Sequence, residues 1–159
     1  MRVELTPQVK LRLKAELRRA GYREIGGILF AKQIAPSKFR VIDFSVERNT
    51  GSSTHFVRDP NAHRAATEDF FRRTGHDYGQ FNYLGEWHSH PQFSVQPSTQ
   101  DLETMTELVE GSPSGITFSV LLVFRLGFFS WLHFSATIFA KGFAPQSAKV
   151  GPIVRIRWI

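Results

Sequence analysis

Between Gly111 and Ala140 the sequence carries one formal charge, Arg125, in a run crowded with aromatic and β-branched residues. A stretch this apolar has to leave water, either inside a sheet or inside a bilayer. Arg125 would fall near mid-bilayer, Gly127 breaks the run, and serines and His133 are interspersed. A membrane span is therefore rejected. Consecutive buried strands account for the same letters, and the run predicts strands at 116–124 (ITFSVLLVF), 127–134 (GFFSWLHF) and 135–141 (SATIFAK).

The N-terminal half supplies helices to cover such a sheet. Thr6-Pro7 is a helix start, Val9, Leu13 and Leu17 form an apolar stripe, and Gly21 is a stop, which predicts a helix over 7–20. A strand is expected at 25–32, paired in a hairpin with Arg40–Val46 across the Pro36 turn. Thr54–Arg58 is read as a short strand. Asp59-Pro60 opens a second helix running to about Arg73. After a loop at 75–80, Phe81–His90 reads as a strand and Ser98 opens a third helix to about Val109. A last strand, Ile153–Trp158, alternates Arg155 and Arg157 on one face. Helix, hairpin, helix, strand, helix and then strands describe a single α/β (α+β) domain over residues 1–159. Its expected form is a mixed sheet flanked by helices rather than a doubly wound parallel sheet.

Composition narrows the chemistry. With no cysteine, disulfides, thiolate-held zinc and a thiol nucleophile are excluded. The first ten residues, MRVELTPQVK, lack the apolar core of a signal peptide, so a cytoplasmic location is expected. Twenty Lys and Arg against fourteen Asp and Glu give a net charge of +6, which favours an acidic partner. Lys10, Lys14 and Arg18 recur every four residues, as a solvated helix face does. No aromatic residues alternate with them to make a stacking platform, so nucleic acid is not the expected partner.

The stretch from Gly85 to Asp101, GEWHSHPQFSVQPSTQD, carries the reactive side chains. His88 and His90 lie two apart on a strand, so they share a face with Cα atoms about 6.6 Å apart. Pro91 then turns the chain, and Asp101 can return to the same point. Two imidazoles and a carboxylate suit Zn²⁺ and leave a fourth position for water, the mark of a catalytic rather than a structural site. Ser98-x-x-Asp101 by itself is an ordinary helix cap. At the start of that helix, Ser98 is also placed to stabilise an oxyanion. The general base is either Glu24, beside the open Gly26-Gly27 backbone, or Glu86, on the histidine face of its strand. A carboxylate at Glu86 can instead orient a ligating imidazole. His55, His63, His76 and His133 have no partner at ligand spacing. H-E-x-x-H and P-C-x-x-C are absent, and Pro113 spoils a G-x-S-x-G in Glu110–Gly115.

Glu24-x-Gly26-Gly27, followed by His88-Ser89-His90-Pro91 and Ser98-x-x-Asp101, resembles the motif of the JAMM/MPN+ zinc metalloproteases. The likeness is closest to the bacterial JAB-domain type found beside ubiquitin-like conjugation operons, including antiphage systems. The resemblance implies a cytidine-deaminase-like α-β-α sandwich with one Zn²⁺ per chain, held by His88, His90 and Asp101. It makes Glu24 the general base for a zinc-activated water and Ser98 the oxyanion donor, and leaves Glu86 as a supporting or substrate contact. The implied substrate is a peptide or isopeptide bond at the C-terminal tail of a ubiquitin-like protein or its conjugate. E1-like and E2-like enzymes are the implied partners; no membrane partner is expected. The tail is expected beside the Gly26-Gly27 strand, adding to the sheet by main-chain pairing. The alternative is a catalytically silent scaffold of the same fold.

Overall fold

A computed structural model describes residues 1–48, 59–111 and 115–151. Among them are three α-helices and an eight-stranded mixed sheet of order β7-β6-β5-β4-β2-β3-β1-β8. The strands are β1 (Arg2–Leu5), β2 (Gly26–Ala35), β3 (Lys38–Phe44), β4 (Phe81–Ser89), β5 (Phe118–Leu126), β6 (Leu132–Ala140), β7 (Phe143–Ser147) and β8 (Lys149–Val150). The helices are α1 (Pro7–Ala20), α2 (Pro60–Arg73) and α3 (Thr99–Glu110).

The helices begin where their caps dictate. Thr6 accepts from the Val9 amide and Asp59 from the Asn61 and Ala62 amides, each followed by proline at the first position. The fixed φ of proline suits that position and its missing N–H costs nothing there. Ser98 caps α3 through a full capping box with Asp101.

Strand β5 explains the layering. Val120, Leu122 and Phe124 point to one face and pack with Val9, Leu13 and Leu17 of α1. Leu121 and Val123 point to the other and pack with Met105 and Val109 of α3. Period-two alternation in a strand buried on both sides thus requires helices on both faces. Helix α2 joins the α3 face, where Phe70 stacks on Phe30 of β2 with ring centroids 4.3 Å apart. Trp87 of β4 is fully buried on the α1 face, edge-on to Phe44 at 5.4 Å, and its indole N–H donates to the Ser45 carbonyl.

Two glycines let strands approach closely. A Cβ on Gly85, at φ +156°, would meet the Val120 carbonyl oxygen at 1.9 Å, and one on Gly27 would meet the Ser45 carbonyl oxygen at 2.3 Å. Both sites therefore exclude any side chain.

The last strands close the sheet on itself. Strand β7 pairs antiparallel with β6, and β8, one residue further on, pairs parallel with β1. Ala148 between them donates to the Ala136 carbonyl, while the Lys149 amide donates to Met1. The sheet is curled enough that Phe39 of β3 and Phe118 of β5 bring their rings to 5.6 Å.

The apolar C-terminal run departs from expectation. Strands predicted at 127–134 and 135–141 are a turn followed by one strand, β6, with a 3₁₀ segment over Phe128–Ser130 at the turn. Strands β1, β7 and β8 were not foreseen. The membrane span is absent in the sense that no described helix is long and apolar enough to cross a bilayer. The strands predicted at 54–58 and 153–158 lie outside the described residues, as does His55.

Candidate metal centre

Strand β4 positions the two histidines. His88 sits between Gly26 of β2 and Val123 of β5 in the ladder. His90 follows the strand, its amide donating to the Phe124 carbonyl at 2.9 Å. Ser89 faces the opposite side, where its hydroxyl accepts from the Ile25 amide at 3.1 Å and its own amide donates to the Ile25 carbonyl at 2.9 Å. These bonds lock the strand end, and both imidazoles are buried on one face.

The intervening loop returns α3 to that face. Val95 packs beside the Met105 cluster and its carbonyl accepts from the Ser135 hydroxyl. Ser98 then starts α3, donating to Asp101 Oδ2 at 2.7 Å from both its amide and its hydroxyl. The same carboxylate oxygen lies 3.4 Å from His88 Nε2 and 3.7 Å from His90 Nε2, and the two Nε2 atoms are 3.1 Å apart. Among the described residues, His88, His90 and Asp101 form the one group able to present three ligand atoms to a single ion.

Tautomer and spacing both fit such an ion. His90 Nδ1 lies 2.7 Å from the Ser94 carbonyl, which only accepts, so that nitrogen carries the proton and Nε2 keeps its lone pair. Ligands at 2.0–2.1 Å around a tetrahedral centre are separated by about 3.3 Å, and the three edges here straddle that length. Burial pushes the Asp101 carboxyl up, but the hydrogen bond and charge of His88, together with the Ser98 donors, hold it far below the usual carboxylate range. The carboxylate is thus ionised and ready to ligate.

The remaining candidates lie around this triad. Ile25–Ser89 extends the β2–β4 contacts by one pair beyond Gly26–His88, and Glu24 immediately precedes that pair. Glu24 is buried and is not one of the three clustered ligands. Glu86 is also buried, paired between Ile28 and Leu121, on the His88 face. Gly26 lies directly opposite His88, whereas Gly27 pairs with Trp87 and turns toward Ser45 on the other face. The smallness of Gly27 therefore serves the Ser45 backbone.

Main-chain addition of a tail at Gly26-Gly27 is ruled out by the topology. Strand β2 is flanked by β4 on one side and β3 on the other, and Gly26 itself bridges to Glu47. Its backbone groups are already paired, and no edge remains there to accept a strand.

The sequence did not announce one neighbouring pair. Glu47 Oε2 accepts from the Asp59 amide at 2.8 Å, and its other oxygen contacts His63 Nε2 of α2. Buried Glu47 thus fastens the start of α2 beside Gly26, with half-buried His63 against it. Positions 47 and 63 have no ligand or motif spacing that would have signalled it.

Comparison with known proteins agrees with this architecture. The solution structure of protein DSY2949 from Desulfitobacterium hafniense matches with a TM-score of 0.69 at 20% identity, over 94% of this chain and 91% of that one. At that identity the likeness speaks to the fold. No curated protein matches the chain. Residues 6–143, from the cap of α1 to the first residue of β7, match the model for prokaryotic homologs of the JAB domain. That span contains the whole His88–His90–Asp101 cluster and all three helices, and the chain belongs to this family of prokaryotic JAB-domain homologues.

Proposed function

We propose that the protein is a zinc-dependent peptidase or isopeptidase acting on the C-terminal tail of a ubiquitin-like protein or of its conjugate. The observation that carries this reading is the convergence of His88, His90 and Asp101, with the lone pair of His90 Nε2 fixed by the Ser94 carbonyl. The JAB family includes metalloproteases and inactive members. Here Glu24, His88, His90, Ser98 and Asp101 are all present, which favours the active class.

His88, His90 and Asp101 would hold a divalent zinc, which would supply Lewis acidity to a substrate carbonyl and to a water. Glu24 would take the proton from that water and deliver it to the leaving amine. Ser98 turns its hydroxyl from Asp101 toward the developing oxyanion, while its amide keeps the carboxylate in place. Glu86 steadies His88 from the same strand face. Because β2 has no free edge, the tail crosses the end of the sheet over Gly26 rather than extending it. E1-like and E2-like enzymes that install the ubiquitin-like protein are the expected functional partners.

The test pairs metal content with turnover. Purified protein is expected to hold close to one zinc and to cleave a fluorogenic amide at the C-terminal glycine of a ubiquitin-like protein. Glu24→Gln keeps the zinc and loses turnover, whereas Asp101→Ala loses both. Zinc-free protein, or a Glu24→Gln variant that turns over normally, overturns the reading.

A further inference from the structure

The β5–β6 turn presents the two most exposed large apolar side chains of the described residues, with an exposed tryptophan beside them. Phe128 is 92% exposed, Phe129 96% and Trp131 59%. Phe129 and Ser130 occupy the left-handed region, with φ of 54° and 60°, which L-residues adopt at a cost and glycine does not. The chain thus holds an aromatic ring out in water where a glycine would relax the backbone.

Arginines stand beside this tip. Arg125, at the end of β5, donates to the Phe93 carbonyl and joins Phe128, Phe129 and Trp131 in lining one hollow. The neighbouring groove, about 340 Å³, has Arg18 of α1 and Arg125 on its walls, with Tyr22 and Pro91. Among the described residues, no acidic side chain lines either one. The chain as a whole carries +6.

Area discriminates among occupants. Three aromatic side chains offer about 500 Å², short of the roughly 800 Å² per partner of a standard protein interface. A bilayer needs no complementary surface, because protruding rings enter the headgroup region while cations meet lipid phosphates. Against the expectation of no membrane partner, we infer that the 128–131 turn is a membrane-contact loop for anionic lipid surfaces, with Arg18 and Arg125 taking the headgroup. Strands β4 and β5 run parallel, so the metal centre and the tip lie at the same end of the sheet. Seated this way, the protein would face its metal centre toward conjugates at the membrane. The inference stands independently of the catalytic reading.

The full chain is sedimented with vesicles of 30% phosphatidylserine in phosphatidylcholine, and with phosphatidylcholine alone, at 0.1 M salt. The protein is expected to pellet with the anionic vesicles, and 0.5 M salt is expected to release it. The Phe128→Ser/Phe129→Ser/Trp131→Ser variant should bind at least about tenfold more weakly. Arg18→Gln and Arg125→Gln should each cost about fivefold on anionic vesicles only. Trp131 emission should shift to the blue on binding, and near-ultraviolet dichroism from buried Trp87 checks the fold. Wild-type protein that stays in the supernatant, or a triple variant that binds equally well, overturns the inference. Wild-type dimerisation or cleavage of a soluble conjugate, lost in the triple variant without vesicle binding by wild type, would assign the tip to a protein instead.

Discussion

Replacing Ser98 separates two roles that its position combines. As the cap of α3 its hydroxyl accepts from the Asp101 amide at 3.2 Å, and as a donor it reaches Asp101 Oδ2 at 2.7 Å. Removing a Ser cap to Ala costs about 1 kcal/mol, but to Gly only a few tenths. For a domain of this size about 1 kcal/mol moves the melting temperature by roughly 3 °C. Loss of an oxyanion donor costs a further factor of about 10² to 10³ in kcat. Ser98→Ala should therefore melt about 3 °C lower, and Ser98→Gly within about 1 °C of wild type. Both should lose about a hundredfold or more in turnover of the fluorogenic ubiquitin-like amide while zinc stays bound, because the Ser98 amide still holds Asp101. Ser98→Thr, which keeps a hydroxyl and a serviceable cap, should recover most of the activity. A Ser98→Gly enzyme that is stable and turns over within about twofold of wild type would reduce Ser98 to a cap and refute the assignment.

Gly85→Ala should destabilise by about 3 kcal/mol or more, read by thermal melting, because the new Cβ meets the Val120 backbone on β5. Burial raises the Asp43 carboxyl, but hydrogen bonds from Arg12, Arg73 and the Phe44 amide hold it below the usual range. Its folded pKa is thus below its unfolded value near 3.9. Its contribution is full above that value and fades as the pH falls through the folded pKa. Asp43→Asn should cost about 1–2 kcal/mol at pH 7, a gap to wild type that narrows in melts below pH 4. Chelation should lower the melting temperature, and readdition of zinc at about 100 times its Kd should restore about 2.7 kcal/mol. An unchanged melt after complete metal removal would argue against a bound ion.

Much of this architecture was legible because its signals are local. Thr6-Pro7 and Asp59-Pro60 announce helices at their first residues, and the predicted spans 7–20 and 60–73 match α1 and α2. The triad was legible too, since residues two apart on a strand share a face and Ser98 fixes where Asp101 returns. The aromatic turn at 127–131 misled because β-propensity measures fit to a pleated surface, and Phe128, Phe129 and Trp131 read alike whether buried or exposed. Strands β1, β7 and β8 are short, and their pairing depends on residues at opposite ends of the sequence. Main-chain addition of a tail at Gly26-Gly27 failed for a similar reason. Which strand is central is decided by long-range order, and β2 gains both neighbours only once β3 and β4 have assembled.

The strand pair that shuts the sheet also sets a timetable for folding. Arg2 finds its outer partner at Lys149, so β1 waits for a strand at the far end of the described residues before one of its flanks is covered. Until then the edges of β1 and β6 are open to pairing with other chains, and such distant contacts slow the search. A chain halted before residue 143 should therefore keep both edges bare and be the species most in need of a chaperone.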